Sequence, residues 1–97
     1  MSGSVNWWRT GYAEDEVEAI GNAVRGEHLS QGQITQEFEC RFANAIGASY
    51  ALATTSGSVA LYMALKAVGA GPGDEVIVPN RTWVATGHAV LLTGASV

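Results

Sequence analysis

The chain has 97 residues and a formal net charge of −4; hydrophobic residues make up 47% of it and charged residues 14%. Five scattered Lys and Arg give no basic patch for nucleic acid or an anionic membrane, and no apolar run reaches the ~18 residues of a membrane span. The amino terminus has no secretory pattern and Cys40 is the single cysteine, so the expected setting is the cytoplasm, without an internal disulfide.

In chain order, residues 1–12 read as an irregular arm with Trp7, Trp8 and Tyr12 close together. These aromatics either pack the arm on a partner subunit or line a substrate entry. Glu14-Asp15-Glu16 is an acidic helix start, and Val17, Ile20 and Val24 recur at helical spacing. This predicts an amphipathic helix over 14–25, ended by Gly26. Residues 26–34 are a loop, and Thr35 is the expected cap of a second helix with Phe38, Phe42 and Ile46 as its buried stripe and Gly47 as its stop.

Beyond Gly47 the pattern changes. Tyr50-Ala51-Leu52-Ala53 reads as a buried strand, residues 58–68 as a helix, and Gly69–Asp74 as a turn. Val76-Ile77-Val78 is β-branched, as in a strand covered on both faces. Thr82 or Thr86 starts a last helix ending at Gly94, and Ala95-Ser96-Val97 opens a third strand. Alternating strands and helices imply an α/β class with parallel strands and right-handed crossovers. The sheet is incomplete within 97 residues, and the expectation is an amino-terminal piece of a longer protein. The first 34 residues form arm, helix and loop, and residues 35–97 the start of the α/β domain.

Two turns carry chemistry. Ser56-Gly57-Ser58 stands between a strand and a helix, where free N–H groups and the helix dipole favour an anion. Gly57 permits close backbone approach, and the hydroxyls of Ser56 and Ser58 either donate to a phosphate or cap the helix. Spacing alone leaves both readings open. The turn is neither a P-loop nor a nucleophile elbow, for it lacks the glycines and lysine those require. Asn80-Arg81-Thr82-Trp83 follows the second strand, and Trp83 is either a packing residue or a plate for a flat ring. His28 and His88 lack a second ligand at metal spacing, so no metal site is expected. Asp74-Glu75 reads as turn chemistry and Cys40 as an inert thiol.

Residues 29–97, with QGQITQEFE, SGS before a V-AL helix start, GPGDEVIVP and TWVAT in fixed order, resemble the start of the DegT/StrS sugar aminotransferases. The resemblance implies a fold type I large domain and pyridoxal 5'-phosphate as cofactor. It implies an amino-acid donor, glutamate foremost, a keto-sugar acceptor linked to a nucleotide, and a homodimer. It assigns the cofactor phosphate to Ser56, Gly57 and Ser58, with Ser at 58 in place of the commoner Thr, and the pyridine face to Trp83. Ser30 and Gly32 fall where the substrate approaches. The cofactor-bonding lysine belongs later in the family's order, so no catalytic residue is expected here, and residues 1–97 alone are expected not to transaminate. A lyase or dehydratase on the same scaffold, or a non-catalytic binding homologue, stands as the alternative. Lys66, the sole lysine, lies eight residues beyond Ser58, about 12 Å along a helix, and reads as a surface lysine.

Overall fold

A computed structural model describes residues 11–28 and 30–97; the expectations for Trp7 and Trp8 fall outside them. The described residues form four helices, α1 (Glu14–Arg25), α2 (Gln33–Ile46), α3 (Gly57–Ala67) and α4 (Ala85–Thr93). They divide into two compact units, one ending at Ala51 and one spanning Leu52–Val97.

In the first unit, α1 has the bounds its sequence predicts. Glu16 reaches back to accept from the Ala13 N–H at 2.6 Å, and Gly26 closes the last turn on Asn22 and Val24. Helix α2 begins two residues before the predicted threonine cap. Its N-cap is Gly32, whose carbonyl accepts from the Gln36 N–H at 3.0 Å, so the first turn forms before Thr35 can cap it. Gly47 ends α2 in the left-handed region at φ 70°, and the Ala48 N–H bonds back to the Ala43 carbonyl at 2.9 Å. The predicted stripe is present but not buried. Phe38, Phe42 and Ile46 are 48–61% exposed, and only Ala43 of this helix is buried. Phe38 and Phe42 contact each other at 5.8 Å between ring centres, which shelters part of each ring without a covering surface.

The second unit owes its core to small residues. Ala85, Ala89, Val90 and Thr93 of α4 are buried, as is Ala95 beyond it, and α3 packs against α4. The buried Thr93 hydroxyl donates to the Val90 carbonyl at 2.7 Å and accepts from the Ala95 N–H at 3.2 Å, so no polar atom is stranded. Gly94 ends α4 at φ 88°, and Pro72 lies so close that a Cβ on Gly94 would come within 2.9 Å of its Cγ. The predicted turn is present: Pro72 and Gly73 (φ 94°) occupy its centre, the Asp74 N–H bonds to Gly71, and the Asp74 carboxylate accepts from the Gly71 N–H at 2.8 Å.

The predicted strands differ. No strand is formed among the described residues; Glu75 and Ser96 make a single parallel bridge, through Val76 N–H to Ser96 and Ser96 N–H to Asp74, each 2.9 Å. The pairing has the expected parallel sense, but two short segments with one bridge are too little for a ladder. Ile77, predicted to be covered on both sides, is 100% exposed, while Val76 and Val78 are half-buried. Helix α3, expected to lie buried on a sheet, has no buried residue. Neither Thr82 nor Thr86 caps α4; its N-cap is Val84, already helical, with no side-chain bond. No helix among the described residues is long and apolar enough to cross a membrane.

Candidate functional site

The polar turn before α3 is held by its own side chains. Thr54 donates its hydroxyl to the Ser56 carbonyl at 3.0 Å, and Ser56, in extended conformation, accepts from the Val59 N–H at 3.3 Å. The first main-chain bond of the helix runs from the Ala60 N–H to the Ser56 carbonyl at 3.0 Å. The N–H groups of Gly57 and Ser58 precede it and have no acceptor within the helix. They stand at the head of an 11-residue helix of aligned peptides, so this end of α3 carries partial positive charge.

Gly57 is not required by its conformation, since its φ is not among the positive ones, and a Cβ added to it would meet nothing within 4 Å. The space in front of it is a cleft of about 510 Å³. Gly57, Ser58 and Leu61 of α3 line one side; Trp83, Ala85 and Thr86, around the start of α4, line the other. None of the lining residues is charged. Trp83 is 80% exposed among the described residues and lines the cleft.

Of the residues singled out in sequence, Gly57, Ser58 and Trp83 are therefore brought together at one cleft within the second unit. Ser56 stands beside it, and its hydroxyl accepts the cap bond from the Val59 N–H while keeping its own O–H to donate. Ser30 and Gly32 belong to the first unit, where Ser30 is exposed and Gly32 caps α2. Thr86 lines the cleft and was legible only as a helix start; its signal is the position three residues past Trp83, one turn along. Lys66 is exposed in the last turn of α3, Cys40 is exposed and free, and Asp74 does serve its turn. No group of three or more His, Cys, Asp or Glu among the described residues is placed to hold a metal.

Over 83 residues the chain is 40% identical to the spore coat polysaccharide biosynthesis protein SpsC of Bacillus subtilis, which is 86% of this chain and 21% of that protein. The structure of this chain superimposes on the aminotransferase from Psychrobacter cryohalolentis with a TM-score of 0.80 and 34% identity, over 88% of this chain and 22% of that one. For S. venezuelae DesV, solved with a ketimine intermediate, the TM-score is 0.74 at 37% identity, over 86% and 23%. The chain thus spans about a fifth of the length of these relatives. The sequence profile of the DegT/DnrJ/EryC1/StrS aminotransferases matches residues 11–97, and the chain belongs to that family.

Proposed function

We propose that this chain is the amino-terminal segment of a pyridoxal 5'-phosphate-dependent sugar aminotransferase and opens that enzyme's cofactor domain, of fold type I. The domain begins near residue 35, after the arm, α1 and the loop. The observation that carries the reading is the cleft where Gly57 and Ser58, at a helix start with unpaired N–H groups, face an exposed Trp83. The residues present fit the group. A phosphate suits the Gly57 and Ser58 N–H groups and the Ser58 hydroxyl, because all are donors at the positive end of α3. The absent Cβ at Gly57 keeps that approach open. Trp83 offers a flat face to a pyridine ring. Ser56 keeps the helix start in register through its cap.

When bound, pyridoxal phosphate supplies the electron sink for moving an amino group. This segment contributes binding and orientation. Lys66 sits two turns down α3 and is exposed, so the lysine that bonds the cofactor comes from another part of a longer chain. The donor is an amino acid, glutamate in the first instance, and the acceptor a nucleotide-linked keto sugar, with Ser30 and Gly32 on its approach. The protein works as a cytoplasmic homodimer, and residues 1–97 alone do not transaminate.

The test is a Ser58→Ala, Trp83→Ala double variant of the full-length protein, titrated with pyridoxal phosphate. A charge-assisted hydrogen bond and a stacked ring are lost together, which predicts about 100-fold weaker binding. Undiminished binding sinks the assignment.

A further inference from the structure

Trp83 is 80% exposed, so packing among the described residues does not hold its ring. A ligand that stacks on an unrestrained ring must order it first, at a cost in affinity. The restraint on Trp83 lies in the main chain that carries it. Its carbonyl accepts from the Thr86 N–H at 3.0 Å, and the Thr82 and Thr86 hydroxyls meet at 3.1 Å. Thr86 is thus tied once to Thr82, through the hydroxyls, and once to Trp83, through the main chain. Neither threonine is a helix cap: α4 has no side-chain cap, and the Thr82 hydroxyl is engaged with the Thr86 hydroxyl. Both are β-branched and stiff at χ1, which suits them to a fixed brace. Thr86 is half-buried and lines the cleft itself.

We propose that the Thr82–Thr86 hydroxyl pair is a positioning device for Trp83, setting the angle at which a flat heteroaromatic ring stacks in the cleft. This rests on the cofactor reading above. Neither threonine touches the reacting atoms; both act through the tryptophan.

The experiment uses the full-length protein freed of cofactor and titrated with pyridoxal phosphate. The variants are Thr82→Val, Thr86→Val, the double Thr82→Val/Thr86→Val, and Thr86→Ser. Valine keeps the shape and stiffness and removes the hydroxyl. Each single valine variant is expected to weaken binding about two- to tenfold, the range of one hydrogen bond. Each also changes the circular dichroism induced in the cofactor's absorption band, which reports the ring's angle to its surroundings. The double variant matches the singles, because the two hydroxyls make one bond. Thr86→Ser restores both affinity and dichroism. Unchanged dichroism in the single variants, or losses that add in the double, overturns the brace. If Ser58→Ala/Trp83→Ala loses cofactor while the threonine variants behave as wild type, the brace alone fails. If that variant binds as wild type, the cofactor reading fails and takes the brace with it.

Discussion

Helices α3 and α4 both begin at the cleft and both are strongly apolar, yet they differ in burial. Four residues of α4 are buried and none of α3. α3 carries Leu61, Tyr62, Met63 and Leu65; α4 turns Ala85 and Ala89 inward beside Val90. Small side chains let neighbouring chain approach closely on several sides, and here α3 packs on α4 while Pro72 seats against Gly94 behind it. Apolar content measures what a helix gains by being covered. Which helix is covered depends on where neighbours lie, and in these residues they lie around α4.

The contrast is sharpest for a buried charge. Val90 is 1% exposed, so Val90→Asp is expected to cost about 3–5 kcal/mol, seen as a lower denaturation midpoint or loss of soluble protein. Met63, 37% exposed in the middle of α3, is the control. In residues 1–97, Met63→Asp is expected to cost about 1 kcal/mol. If a sheet covers α3 in the full-length protein, the Met63 cost there rises toward that of Val90. Equal costs in residues 1–97 would break the contrast.

Two glycines separate the same helices by role. Gly94 stands at φ 88° with Pro72 in the way of a side chain, so Gly94→Ala should cost about 1–3 kcal/mol on unfolding. Gly57 has neither constraint. Gly57→Ala should leave stability unchanged or raise it by up to about 1 kcal/mol, as reduced freedom of the unfolded chain allows. It should still weaken pyridoxal phosphate binding about tenfold, because the methyl enters the space where the phosphate meets the N–H groups. A Gly57→Ala variant that unfolds early but binds normally would reverse the roles.

Local features were the legible ones. Helix α1 matched its predicted bounds because an acidic start and a glycine stop are written in adjacent residues, and Gly47 and Gly94 announced their left-handed turns. The start of α2 was misread because a threonine is the stronger cap by type, while Gly32 closed the turn earlier. The strands and the buried stripes were not legible from these residues, since a strand and a burial are properties of a pair of surfaces. Ile77 has the composition of a central strand and is fully exposed. At the cleft, Gly57, Ser58 and Trp83 were each named from their own turn in the sequence, and it is the fold that brings them to one place. The Thr82–Thr86 bond was hidden because two threonines four apart more often serve as caps or surface residues.

The smallest expected effect concerns how the two helices begin. α3 has a side-chain cap at Ser56, with a rather long bond of 3.3 Å, and α4 has none. Ser56→Ala is therefore expected to cost about 0.5–1 kcal/mol in chemical denaturation, and Thr82→Ala, which caps nothing, less than about 0.5 kcal/mol. Ser56→Asp separates the cap from the ligand. Aspartate accepts from the Val59 N–H as serine does and favours the positive helix end, so stability holds. The added negative charge faces the incoming phosphate, so pyridoxal phosphate binding in the full-length protein falls about tenfold or more. Serine at 56 is thus the residue that caps α3 without spending its anion site. A Ser56→Asp variant that is stable and still binds the cofactor would mean that the phosphate sits away from this turn.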